Sequence, residues 1–296
     1  MPSPRSRHCL AYDTAVRAPV LFGGLAGADE LTPRNDTWQL DDLKWRRIGL
    51  KGEVPIARQR AKMVFDEQRG FSVLFGGQGK TMRNWPLLAD TWLLESGVWR
   101  QVSKGDKPPP RCAHGLAYDH AGQQTVLFGG ASKGNLPLGD TWVFDGDGWR
   151  KLEIPGPAPR QYAEFTWDAN LGGCVLYGGC VDDLGNHPYT DCWLFRGNQW
   201  QQIAAASGFL VRDDGGMCFF PGLNATLLLA GNKSNASLAW LAADGWKVIA
   251  DTNPPLPRQC AASCYWPEKQ GLLVHGGEVG HDQRQFADSY LLTLQT

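Results

Sequence analysis

Apolar residues in this chain fall in short runs rather than at the three- and four-residue spacing of a helix. SVLF at 72–75, TVLF at 125–128 and CVLY at 174–177 are apolar at consecutive positions, the pattern of strands covered on both faces. Each run ends at a Gly-Gly doublet. A segment such as CLAYD or GLAYD precedes the run; a variable polar loop, a segment opening Asp-Thr-Trp and a segment with a lone Trp follow it. Four short β-type segments per unit, punctuated by glycine, predict an all-β chain.

The unit recurs. Gly-Gly stands at 23–24, 76–77, 129–130, 178–179 and 276–277, with Ala230-Gly231 filling the gap, at intervals of 53, 53, 49, 52 and 46 residues. An Arg opens every copy: Arg5, Arg58, Arg111, Arg160, Arg212 and Arg258; in four of them Asp follows eight residues later, at Asp13, Asp66, Asp119 and Asp168. NDTW at 35–38, ADTW at 89–92, GDTW at 139–142 and TDCW at 190–193 stay in step, with ADSY at 287–290 as a variant and SLAW in the degenerate fifth copy. Trp45, Trp99, Trp149, Trp200 and Trp246 supply the second aromatic. A period this long with four strands per copy predicts a propeller of six blades around a channel. The expected blades are roughly 1–53, 54–107, 108–156, 157–208, 209–254 and 255–296, forming one domain over 1–296. The last ends after its third strand, so either it has three strands or the natural protein continues beyond this sequence.

Six in-phase copies of Gly-Gly followed by spaced aromatics resemble the kelch-repeat β-propellers, in the style of bacterial kelch and galactose-oxidase-type rings. The resemblance spans essentially the whole chain. It implies a loop-decorated face that binds a ligand or a protein segment; the copper ligands of those oxidases have no counterpart here.

Bulk properties exclude more than they select. A net charge of -1 over 296 residues offers no global attraction to nucleic acid or to an anionic membrane. No stretch approaches a membrane span and MPSPRSRHCLAYD has no signal-peptide core, so the chain reads as cytoplasmic. The expected state is a monomer without a cofactor. Eight cysteines show no CxxC pair or zinc spacing and are expected to be free, Cys180 with Cys192 being the one disulfide candidate. VLFGGQGKT at 73–81 ends like a phosphate-binding loop, but Leu74 stands where that loop needs its first Gly and Pro86 interrupts the helix it would open.

Candidate chemistry gathers at the channel mouth. In the predicted register the opening arginines Arg5, Arg58, Arg111, Arg160, Arg212 and Arg258 surround it, with the blade-specific Arg7 and Arg60 two positions on. Guanidinium groups there would hold a carboxylate or phosphate bidentately. Sixfold repetition weighs toward a structural role for the opening arginines, which makes Arg7 and Arg60 the sharper candidates. Lys80 and Trp85, in a loop after a doublet, join the ligand-binding set. Lys62 and Glu164 interrupt the otherwise small or apolar start of the inner strands. The favoured function is a binding module for an acidic or polar small molecule, peptide or protein segment. The alternative is an enzyme, an isomerase or mutarotase of sugars or a lyase or cyclase, with Glu164, His114 and His8 as acid/base groups and an Arg holding substrate. Glu278, His281 and Asp282 form a weak metal candidate. Nitrile-specifier kelch proteins carry Glu, Asp and His four residues apart at their iron site, and Phe286 replaces that His here.

Overall fold

The computed structural model describes residues 1–27, 31–49, 51–182, 188–205, 216–231, 236–243, 245–249, 258–279 and 284–293. Six antiparallel sheets radiate from a channel, as the sequence predicts, five of four strands and a sixth of three. The inner strands are Cys9–Asp13, Lys62–Asp66, Gly115–Asp119, Glu164–Asp168, Gly216–Phe220 and Ala262–Trp266. Each touches the next, and the sixth meets the first, so the ring is closed. Blade six consists of Ala262–Trp266, Gly271–His275 and Ser289–Leu292. The second strands, Phe71–Phe75 and Gln124–Phe128 among them, are buried at every position because a neighbouring blade covers each face.

The repeating Arg is the anchor of the blade. Arg111, without exposed surface, donates from Nη1 and Nη2 to both carboxylate oxygens of Asp140 at 2.6 and 2.8 Å. It also donates to the carbonyls of Gly129 and Pro109 at 2.9 and 3.1 Å. Arg5 repeats the fork with Asp36, Arg58 with Asp90, Arg160 with Asp191 and Arg258 with Asp288. In each the carbonyl of the first doublet glycine is the further acceptor. A buried guanidinium is tolerable only with its charge paired and its donors used, and this arrangement does both. The Trp of Asp-Thr-Trp donates Nε1 to the same Asp at 2.7 Å in blades one to four. One fork therefore ties the blade opening, the glycine turn and the third strand.

The doublet is glycine for two separate reasons. At Gly129, φ is +65° and a Cβ would lie 2.6 Å from the carbonyl oxygen of Arg160 in the next blade. At Gly130, φ is +98° and a Cβ would lie 2.8 Å from the Cβ of His114 in its own blade. Both backbones are left-handed and both sites are filled.

Seams between blades are closed by the second Trp. Trp99 donates to Thr37 Oγ1 at 3.2 Å, Trp149 to Thr91 at 2.9 Å and Trp200 to Thr141 at 2.9 Å, each reaching back to the preceding blade. The same rings stack on Phe22, Phe75 and Phe128, the residues just before the doublets, at centroid distances of 5.1 to 5.3 Å. Trp45 closes the ring in the same way, on Ser289 at 3.0 Å and His275 at 4.9 Å. The seam from blade five to blade six has no such Trp. In blade five the register pairs Leu229 with Leu238 and Leu228 with Ala239, so Leu238 occupies the Thr position and Ala239 the Trp position. Trp240 of SLAW is thereby displaced by one residue, onto the other face of its strand. Leu229 and Leu238 pack instead with Leu272 and Val274 of blade six.

One seam is chemically incomplete. Trp246 stacks on Tyr177 at 4.9 Å, but the hydroxyl its partners use is replaced by the thiol of Cys192, and Nε1 finds no acceptor among the described residues. Cys180 and Cys192 form no disulfide, and all eight cysteines are buried thiols. Cys192→Thr is expected to supply the missing acceptor and raise unfolding free energy by about 1 kcal/mol in urea titration; an unchanged or lower midpoint would count against the latch.

Candidate functional site

Two residues after each opening Arg the chain adopts a left-handed backbone, with φ of 57° at Arg7, 54° at Arg60, 52° at Ala113, 60° at Tyr162 and 54° at Cys260. These residues are linked by their own amides around the axis. Arg60 donates to the Arg7 carbonyl at 2.9 Å, Ala113 to Arg60 at 3.0 Å, Tyr162 to Ala113 at 2.8 Å and Arg7 to Cys260 at 2.9 Å. The sixth position of this circle, Asp214, lies outside the described residues. The circle is the rim of the channel mouth, and its members differ from blade to blade.

The channel below the rim is a cavity of about 390 Å³. Arg7, Arg60, Lys62 and Glu164 line it at the rim end. Arg7 donates from Nη2 to Glu278 at 2.8 Å and from Nη1 to Gln59 at 3.3 Å. Burial works against its charge, but Cys260 and Glu278 outweigh burial and hold its pKa above the ordinary arginine value. The Arg60 guanidinium lies 5.3 Å over the Tyr162 ring. Lys62 and Glu164 begin the inner strands of blades two and four, on either side of Gly115. Three cations thus meet the carboxylates of Glu164 and Glu278 here, a local positive excess in a near-neutral chain.

Several expected site residues are placed elsewhere. The opening arginines do not face the mouth: Arg5, Arg58, Arg111, Arg160 and Arg258 are at most 4% exposed and spent on their aspartates, so they have no donor set left for a ligand. Arg212 lies outside the described residues. His114 has no exposed surface and packs edge-on to Phe75 at 5.5 Å, away from the cavity. His8 borders the cavity but packs against Gly24, Gly276 and His275. Neither imidazole has a hydrogen-bond partner among the described residues. Burial first, then His275 and Arg5 for His8, and Arg111 and Lys62 for His114, push both well below the usual histidine range. Both imidazoles are held neutral between the blades, and His114 is placed away from the channel. Of the acid/base set, Glu164 and His8 line the cavity and His114 does not.

Glu278 is 4% exposed and accepts from Ser6 Oγ at 2.6 Å as well as from Arg7, so it is committed to the rim; His281 and Asp282 lie outside the described residues. No cluster of three metal-ligating side chains occurs among the described residues. Lys80 reaches across to the Leu31 carbonyl at 3.3 Å and sits 5.5 Å over the Trp85 ring, which is 38% exposed. Both therefore decorate the loop-bearing face. Among the described residues no helix is long and apolar enough to cross a membrane.

One element escaped the sequence reading. The seventh residue after every opening Arg is aromatic: Tyr12, Phe65, Tyr118, Trp167, Phe219 and Tyr265. All six line the far end of the cavity. The signal was present in the recurring strand ending AYD, which was read only as punctuation.

Comparison with known proteins supports the ring. The chain is 30% identical to an F-box/kelch-repeat protein of Arabidopsis thaliana over 201 residues, 59% of this chain and 40% of that one. The chain is a six-bladed β-propeller whose repeats are similar to those of kelch-repeat proteins. It is also 33% identical over 180 residues to a putative adagio-like protein 2 of Oryza sativa subsp. japonica, 56% of this chain and 27% of that protein. The kelch ring thus spans less than half the length of these relatives. The solved structure of YjhT superposes on the whole propeller with a TM-score of 0.74, covering 96% of that chain at 15% identity, which speaks to fold alone. No family profile matches the chain.

The buried histidines make the propeller's stability pH-dependent. His275 is also depressed, to about 3, by burial and by Arg5. All three imidazoles stay neutral in the fold but take up protons on unfolding below about pH 6.5, so stability falls as pH drops. Urea midpoints measured from pH 7.5 to 5 are expected to decline, by up to about 1.4 kcal/mol per pH unit for each histidine at the acid end. His114→Phe is expected to flatten the slope; equal slopes in both proteins would refute the assignment.

Proposed function

We propose that this kelch propeller is a binding module that holds an acidic ligand or protein segment at the rim of its channel. The observation carrying this reading is the placement of Arg7 and Arg60. Among the described residues the repeat's own arginines, Arg5, Arg58, Arg111, Arg160 and Arg258, are buried and paired with aspartates, whereas these two occupy the variable circle at the mouth and line the cavity. Arg7 is held in place by Glu278 and Gln59, and Arg60 by stacking on Tyr162, so an incoming carboxylate meets donors that are already oriented. The relatives with kelch repeats support the coarser part of this reading, a module for interaction. Exposed Trp85 beside Lys80 extends the surface with an aromatic anchor of the kind found at protein interfaces.

A charge-assisted hydrogen bond contributes about 1.5–3 kcal/mol, so reversing both arginines removes attraction and adds repulsion. Fluorescence anisotropy with a labelled hexaglutamate peptide is expected to show binding to the wild type and at least a tenfold loss for Arg7→Glu/Arg60→Glu. Equal affinity in the two proteins, with the fold intact by circular dichroism, would remove the rim from the binding surface.

A further inference from the structure

The two ends of the channel differ in chemistry. At the rim stand Arg7, Arg60 and Lys62; three residues beyond Lys62 along the inner strand, about 10 Å away at ~3.3 Å per residue, stands the aromatic collar. Packing accounts for part of the collar: Tyr12 donates to Glu268 of blade six, and His120 is sandwiched between Tyr118 and Trp167 at 4.9 and 5.1 Å. Packing alone does not require a continuous aromatic lining. Phe65 and Tyr118 are buried, but Tyr12, Trp167, Phe219 and Tyr265 keep part of their surface open to the cavity.

Few charges stand at the collar: Glu67 lines the cavity there and lies 3.3 Å from His120 Nδ1, and Glu268 behind Tyr12 is ion-paired with Arg17 at 2.9 Å. An anion is therefore drawn to the cations of the rim, while an apolar body gains by covering aromatic rings. We propose that the channel is a binding site for elongated amphiphilic carboxylates, taken with the carboxylate at Arg60 and Arg7 and an aromatic or aliphatic body on the collar. This deepens the reading of the rim as an anion site and rests on it. Trp167 is the collar residue whose ring gives the body its largest flat contact.

Isothermal titration calorimetry with 6-phenylhexanoate, its primary amide and hexanoate separates the two ends on the unmodified protein. The phenyl acid is expected to bind at least about tenfold more tightly than either the amide or hexanoate. Trp167→Ala is expected to weaken the phenyl acid by about tenfold and leave hexanoate unaffected, whereas Trp167→Phe stays within about threefold of wild type. If Trp167→Ala lowers the unfolding temperature, the three-ligand series on wild type decides alone. Equal affinity for acid and amide, equal affinity for the phenyl acid and hexanoate, or no measurable heat overturns the proposal. Hexaglutamate binding without any gain from the phenyl group refutes the collar while sparing the rim; failure of both probes refutes the rim as well.

Discussion

A buried arginine is the constraint around which five of the six repeats are organised among the described residues. Taking a guanidinium out of water costs several kcal/mol unless a carboxylate and enough acceptors come with it. Here the carboxylate comes from the Asp ahead of the third-strand Trp, 29 to 32 residues later, and an acceptor from the first glycine of the doublet. Burial tends to raise the aspartate pKa values. Hydrogen bonds and charge from the arginines outweigh it, and all five titrate below the ordinary carboxylate range. The fork explains why Arg, Gly-Gly and Asp recur in phase: each is unusable without the other two.

With each blade held this way, the ring is assembled by contacts of a different kind. The tight approach at the doublet brings the carbonyl of the next arginine against a bare Cα, and the second Trp clamps the preceding blade by one hydrogen bond and one aromatic contact. The exceptions are consistent with one another. Blade five has leucines where a Trp would be received, and among the described residues blade six has three strands and presents none. The seam from blade six back to blade one keeps the clamp with His275 and Ser289 in place of Phe and Thr.

The fold was legible because its determinants are repeated: the period, the doublets and the Trp positions sit in the sequence six or nearly six times. The site was legible only where a residue departed from the repeat. Arg7 and Arg60 stood out as blade-specific and do line the mouth, and Lys62 and Glu164 stood out as charges at the start of inner strands and do face the channel. The opening arginines were harder to place, since their partners lie about thirty residues away and spacing alone does not reveal a fork. His8 and His114 read as chemistry because histidine is titratable. Their depth between blades, which only packing shows, makes them neutral spacers. The aromatic collar was missed for the opposite reason, because a feature common to all six copies looked like scaffold.

The arginines fall into two classes separated by only two residues in sequence: one that holds the blades and one that lines the channel mouth. Urea unfolding of Arg111→Gln beside Arg60→Gln tests that division most directly. Losing the buried fork and leaving the partly buried Asp140 without its partner is expected to cost about 3 kcal/mol, whereas Arg60→Gln should stay within about 1 kcal/mol of wild type. An Arg111→Gln protein as stable as wild type, or an Arg60→Gln protein destabilised to the same extent, would contradict it.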